Sequence, residues 1–257
     1  MNVNFSNNTS LTFEKYASVA ISAAIKAGET ILDIYNDPAS DFDIEIKNDN
    51  TPLTIADKAS HNIILKTFND AGNKWPVLSE EGKNIIYETR KNWKRFWLID
   101  PLDGTKEFIK KNGEFTVNIA LIERNTPIVG VIYVPAKKTI YAGIVGTGAW
   151  KMENVNSSLN FQELVEQGMN LPINKNKNKY TIIASRSHMN KATVDFIEKI
   201  KKKHPSCEIV SVGSSLKICL VAEGSADIYP RFGPTMEWDT AAGNAIAKAA
   251  GKKNDRF

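Results

Sequence analysis

Asp100 and Asp103 stand three apart in WLIDPLDGTKEF, residues 97–108, directly behind an apolar run. A turn needs one Asp or one Gly, so two carboxylates around Pro101-Leu102 exceed what a turn requires. A strand running into Asp-Pro-Leu-Asp-Gly-Thr can converge both carboxylates, with the Leu102 carbonyl between them. Three more acidic features stand near expected strand ends or helix starts: Asp57, Glu80 with Glu81 in SEE (79–81), and Asp239 in EWD (237–239). Each also has a structural reading. Asp57 reads as a helix cap, Glu80 and Glu81 as a solvated turn, and Asp239 as an N-cap. Clustered carboxylates repel one another unless a cation neutralises them, and oxygen-rich sites suit Mg2+ or Mn2+, not zinc. The three histidines, His61, His188 and His204, are scattered, and Cys207 and Cys219 lack metal-type spacing. Two divalent ions about 4 Å apart can clamp an in-line phosphoryl displacement, stabilising attacking and leaving oxygens together. The Gly104 and Thr105 amides, at an expected helix start, would hold phosphate oxygens.

The elements that must position these groups fall into two rhythms. A helix is expected over 11–36, capped by Ser10, then a strand over 42–47. A second helix is expected over 54–70, with Thr54 as N-cap and Asp57 at the capping-box position. Strands at 95–99, 115–123, 127–135 and 138–145, joined by polar turns, suggest an antiparallel meander. Residues 151–178 are polar and weakly patterned. After them strands (180–185, 207–212, 226–230) alternate with helices (190–203, 215–224, 239–251), which argues for an α/β layer with parallel pairing. Two subdomains follow, 1–160 and 161–257, with a ligand cleft expected between them. The chain of 257 residues carries a mild net charge of +4, and its basic run KIKKKH (199–204) reads as a solvated helix end, so no nucleic-acid partner is expected. No apolar stretch is long enough for a membrane span. The polar N-terminus and two unpaired cysteines suggest a cytoplasmic protein.

SEE, DPLDGTKEF and EWDTAAG together resemble the signature blocks of the lithium-sensitive, Mg-dependent phosphatase superfamily that includes inositol monophosphatase. The resemblance implies a layered αβαβα fold, α+β in its N-terminal antiparallel sheet and α/β in its mixed C-terminal layer. It also implies metal-assisted hydrolysis of a phosphate monoester, with two to three Mg2+ per site. By motif, Glu80 would bind one metal, Asp100 would bridge two, the Leu102 carbonyl would bind the first, and Asp103 and Asp239 the second. Asp57 would help hold a third. Thr105 would orient the attacking water together with Asp49 of KNDNTPLT (47–54).

SRSH (185–188) and the stretch 212–243 resemble most closely the bacterial 3'(2'),5'-bisphosphate nucleotidase branch. That branch removes the 3'-phosphate of adenosine 3',5'-bisphosphate, giving AMP, and its 5'-phosphosulfate analogue is a further candidate substrate. Gly104, Thr105 and Asp239 would contact substrate, and His188, Ser214, Lys217 and Arg231 would hold the second phosphate and the purine. Arg forks and Lys point charges both suit phosphate. Without the resemblance, Lys217 and Arg231 read as surface charge, and His61 reads as structural. Alternatives are an inositol or sugar monophosphatase and a nucleotide-binding sensor without turnover. Oligomeric state stays open between monomer and homodimer, as does peripheral contact with the inner membrane face. The family pattern continues past the AAG helix for another strand, whereas this sequence ends at GKKNDRF, so an open sheet edge is expected in the second subdomain.

Overall fold

The structure is a computed structural model, and it describes residues 7–47, 52–173, 179–185 and 189–253. Helix α1 (Asn7–Asn36) begins before Ser10, so Ser10 lies inside it rather than capping it. Its buried face, Phe13, Ala17, Ala20, Ile21, Ala24, Ala27 and Ile31, follows the three-and-four spacing of a helix stripe. Strands β1 (Glu45–Ile46) and β2 (Pro52–Leu53) form a short hairpin in place of the longer expected strand. Helix α2 (Ile55–Asp70) starts at Thr54 as expected.

A seven-stranded sheet follows in sequential order. It comprises β3 (Val77–Ser79), β4 (Arg95–Asp103), β5 (Thr116–Glu123), β6 (Thr126–Val134), β7 (Thr139–Ile144), β8 (Gly148–Met152) and β9 (Met169–Asn170). Short helices α3 (Tyr87–Arg90) and α4 (Thr105–Ile109) flank β4. Every pair is antiparallel except β3–β4, which is parallel. Odd-numbered residues of β4 and β5 (Trp97, Ile99, Val117, Ile119, Leu121) pack on α1 and α2. Even-numbered ones (Phe96, Leu98, Ala120, Ile122) face the other way, as the strand period of two demands.

The polar segment beyond β8 is more ordered than its pattern suggests. Helix α5 (Phe161–Gln167) is closed by an Asn160–Glu163 capping box and packs on α1 through Phe161 and Leu164. Strands β10 (Thr181–Ser185) and β11 (Glu208–Val212) pair in parallel around helix α6 (Lys191–Lys203). Residues 208–211 of β11 are exposed. The expected strand at 226–230 reduces to one parallel bridge, Ile182 to Ile228. Helices α7 (Leu216–Ala222) and α8 (Glu237–Ala249) cover the even face of the large sheet. The approach is close: a Cβ on Gly130 of β6 would lie 2.2 Å from the Ala242 carbonyl of α8. The layers therefore run α1/α2, large sheet, α7/α8, β10/β11, α6, which is the αβαβα order expected from the sequence.

Candidate functional site

Parallel pairing of β3 with β4 builds the acidic centre. Ser79 lies opposite Ile99, and the Glu80 amide donates to the Ile99 carbonyl (3.1 Å), so Glu80 follows directly alongside Asp100. β4 does not end at Ile99, as the apolar run suggests. It continues to Asp103 with a register shift against β5 between Asp100 and Asp103. The Asp-Pro-Leu-Asp stretch is thus a bulge within a strand, a device that re-aims side chains beside functional sites. The Leu102 amide donates to Asp100 Oδ1 (3.2 Å), and Ser60 of α2 donates to the Pro101 carbonyl (2.7 Å), which fixes the bulge. Gly104 then turns the chain into α4 at φ 94°; a Cβ there would press on the Glu114 carbonyl at 3.2 Å.

Asp100 is 1% exposed. Burial pushes its carboxyl well above the usual carboxylate range, and the charges of Glu80, Asp103, Asp239 and Asp57 push the same way. Burial also pushes Glu80 up to about 6, against the pull of Lys47 and with Glu81 and Asp103 adding to the rise. Lys47 donates to Glu80 (2.8 Å) and also pairs with Glu81. Against the pull of burial, these two glutamates hold the Lys47 ammonium above its ordinary range. Asp239 is not the N-cap of α8 but the third residue of its first turn. Its Oδ2 accepts from Thr235 (2.8 Å), the Met236 amide (3.2 Å) and Arg231 (3.4 Å). Burial raises its pKa, and Asp103 raises it further.

Asp57 behaves as the capping reading expects. Its Oδ2 accepts from the Thr54 amide (2.8 Å) and hydroxyl (2.6 Å), while Oδ1 faces the Thr105 hydroxyl at 3.2 Å. It is buried behind Thr105 and does not line the cleft. Burial raises its pKa above the usual value. Glu80 and Glu81 are not a solvated turn: both are tied to Lys47. His61 donates to or accepts from Ser79 at 2.9 Å, linking α2 to β3 in a structural role.

One cleft is lined by Glu80, Asp100, Leu102, Asp103, Gly104 and Thr105, and equally by Ser214, Lys217, Arg231 and Asp239. The surface-charge reading of Lys217 is incorrect: it is 6% exposed. Its ammonium donates to the Ser214 carbonyl (2.5 Å) and sits 3.5 Å from that of Val212, facing the Tyr229 ring at 5.6 Å. Among the described residues no carboxylate lies within ion-pair distance of it. Burial pulls its pKa down. Among the described residues Arg231 makes only long contacts, to Tyr229 (3.4 Å), Pro234 (3.2 Å) and Asp239 (3.4 Å), and its buried Nε has no partner. A buried N–H without an acceptor is costly, and an incoming anion would satisfy it. Asp49 and His188 lie outside the described residues.

As they stand, no three acidic, histidine or cysteine side chains among the described residues are gathered tightly enough to hold a cation. Two of the carboxylates are turned to internal cations, Glu80 to Lys47 and Asp239 to Arg231. The donor chemistry nevertheless fits a hard divalent ion. Glu80, Asp100, Asp103 and the Leu102 carbonyl offer oxygen alone, and Asp100 is buried beside other carboxylates. Lys47, Asn118, Ser215 and Tyr229 were not singled out from the sequence. Lys47 opens the quoted KNDNTPLT stretch, which was the available signal.

A profile of the inositol monophosphatase family matches residues 13–253. The 3'(2'),5'-bisphosphate nucleotidase CysQ of Buchnera aphidicola is 43% identical over 251 residues, covering 98% of this chain and 88% of that protein. Its Escherichia coli K12 counterpart is 44% identical over 229 residues, covering 89% and 85%. The crystal structure of CysQ from Bacteroides thetaiotaomicron, a bacterial member of the inositol monophosphatase family, superposes with a TM-score of 0.85 at 52% identity, covering 94% and 88%. The chain belongs to the inositol monophosphatase family, which is generally metal-dependent.

Proposed function

We propose that this protein is a Mg2+-dependent 3'(2'),5'-bisphosphate nucleotidase that hydrolyses the 3'-phosphate of adenosine 3',5'-bisphosphate to AMP and phosphate, in sulfur metabolism. The carrying observation is that one cleft joins carboxylates crowded around the buried Asp100 to Lys217, which has no carboxylate partner among the described residues, and to Arg231, held only loosely by Asp239 (3.4 Å). A substrate with one phosphate to be cleaved and another to be gripped suits both halves of that cleft. In this reading Glu80, Asp100, Asp103, Asp239 and the Leu102 carbonyl would hold two ions, and Asp57 would help hold a third through the oxygen that faces Thr105. Bound Mg2+ supplies Lewis acidity and a water of lowered pKa. Thr105, held by Asp57 and joined by Asp49, orients the attacking water, and Gly104 offers its backbone amide to the phosphate. Lys217, Arg231, Ser214 and His188 hold the second phosphate and the nucleoside. The P–O3' bond breaks, the water oxygen joins phosphorus, and a proton reaches O3'. Mn2+ would suit the same oxygens. No helix among the described residues is long and apolar enough to cross a membrane, and we place the activity in the cytoplasm.

The test is phosphate release with Mg2+ from a panel of adenosine 3',5'-bisphosphate, its 5'-phosphosulfate analogue and inositol 1-phosphate. Faster turnover of inositol 1-phosphate than of the bisphosphate would sink the assignment. Equal rates for wild type and Asp100→Asn would refute the metal-site reading, since losing the bridging carboxylate should cost at least about 10²–10³-fold in kcat.

A further inference from the structure

Three buried polar side chains converge on Asp103 from a direction the chemistry above does not use. On β5, the Thr116 hydroxyl donates to Asn118 Oδ1 (2.9 Å). The Asp103 carboxylate only accepts, so the end of the Asn118 amide that faces it is Nδ2, which points at Asp103 Oδ2 (3.3 Å) and Ser215 Oγ (2.9 Å). Ser215, directly before α7, brings its hydroxyl 2.5 Å from Asp103 Oδ2 and 2.8 Å from the Asp239 carbonyl. A hydroxyl has one proton to give. The Asp239 carbonyl already faces the amide ladder of α8, and the carboxylate is both nearer and charged, so the proton goes to Asp103. Thr116, Asn118 and Ser215 are 0%, 1% and 4% exposed, so water does not compete for these bonds. Register explains the meeting: Thr116 pairs with Asp103 and Asn118 with Asp100, on either side of the bulge.

We propose that Asn118 and Ser215 are positioning residues that hold Oδ2 of Asp103, so that its other oxygen, Oδ1, is the one presented to a divalent cation. An unclamped carboxylate can rotate and take an ion with either oxygen or both, which changes coordination geometry. Groups that bond to a metal ligand typically matter 10–100-fold in metal affinity. The clamp also joins layers. Ser215 comes from the segment that carries Lys217, whereas Asp103 belongs to the large sheet, so the grip on the second phosphate is registered against the cation at the first. The inference rests on the reading of Asp103 as a metal ligand.

The experiment is calorimetric titration of the metal-free protein with Mg2+, beside its melting temperature in EDTA, for wild type, Asp103→Asn, Ser215→Ala and Asn118→Leu. Ser215→Ala and Asn118→Leu should weaken Mg2+ binding by about 10–100-fold while the EDTA melting temperature moves only a few degrees. Their kcat should recover at saturating Mg2+, which a merely structural defect would not allow. If Asp103→Asn weakens Mg2+ binding but Ser215→Ala and Asn118→Leu bind it like wild type, the clamp is overturned. If Asp103→Asn itself binds Mg2+ like wild type, the metal-ligand reading fails instead. Should Asn118→Leu not fold, the shape-conserving Thr116→Val, which removes the bond that anchors the Asn118 carbonyl end, decides. Weaker Mg2+ binding supports the clamp and unchanged binding refutes it.

Discussion

Lys217→Met is the sharpest perturbation of the second-phosphate reading. In the ligand-free protein the Lys217 ammonium is buried, bonded to the Ser214 carbonyl, and without a carboxylate partner among the described residues. Its lowered pKa has burial as its first cause. The charge is therefore uncomfortable until an anion arrives. Removing one partner of a buried, hydrogen-bonded charge pair costs about 2–5 kcal/mol, or roughly 30- to 4000-fold at about 1.4 kcal/mol per decade. That loss should fall on kcat/KM for adenosine 3',5'-bisphosphate and should spare adenosine 3'-monophosphate, which lacks the 5'-phosphate. Stability should move the other way. Methionine removes a desolvated charge worth several kcal/mol, while leaving the Ser214 carbonyl short of a bond worth about 1 kcal/mol. The ligand-free melting temperature should therefore hold or rise. The sign with pH agrees: a lysine whose folded pKa is depressed makes the folded state weaker as pH falls through its unfolded value, and methionine abolishes that slope. Equal losses of kcat/KM on both nucleotides, or a melting temperature lowered by several degrees, would refute the argument and make Lys217 a structural clamp.

Other perturbations separate the roles of the carboxylates. Because burial raises Glu80 to about 6, the metal-free protein should lose stability as pH rises from its unfolded value through that point, by up to about 2 kcal/mol. Melting in EDTA should thus fall between about pH 4.5 and 6, and the stabilisation by Mg2+ should be larger at neutral pH than at pH 5; a pH-independent Mg2+ shift would contradict it. Asp100→Asn should raise the EDTA melting temperature while abolishing phosphate release, because it removes a buried charge surrounded by like charges. Asp57→Ala should do the reverse in EDTA, lowering stability by about 1–2 kcal/mol through loss of the α2 cap. Gly130→Ala should cost about 3 kcal/mol, read as a reduced denaturant midpoint, since its Cβ would meet the Ala242 carbonyl at 2.2 Å.

Motif and period carried the reading of the sequence wherever a local rule decides structure. Thr54 with Asp57 announced α2, and alternation announced the meander. The order of strand and helix after residue 180 announced the parallel β10–β11 pair. What escaped depends on pairing between distant segments. Glu80 meets Asp100 only because β3 joins β4 in parallel, a register that three residues of β3 cannot reveal by themselves. α5 was hidden inside a polar stretch because only Phe161 and Leu164 of its seven residues are buried, although Asn160 and Glu163 are spaced as a capping box. Taken without the resemblance, Lys217 reads as surface charge, because a lysine inside a helix says nothing about the carbonyls that receive it. Asn118 and Ser215 lie 97 positions apart, and neither belongs to an acidic block.

The capping and metal readings of these acids need not compete. Asp57 and Asp239 both occupy the third position of a helix, Asp57 buried and Asp239 partly so, and accept the cap-residue amide. A helix N-terminus tolerates a buried carboxylate better than most places do, because its free amides supply partial positive charge. The difference lies in what remains unsatisfied. Asp57 has both oxygens occupied, by Thr54 and Thr105. Asp239 spends Oδ2 on its cap and on Arg231, which leaves Oδ1 for a cation. A cation drawn to Asp239 would weaken the hold of that carboxylate on Arg231, whose Nε lacks a partner among the described residues. On the proposed reading the guanidinium would then be freer to receive a phosphate, and cation and substrate would each favour the binding of the other through one shared carboxylate, a linkage that would be reciprocal.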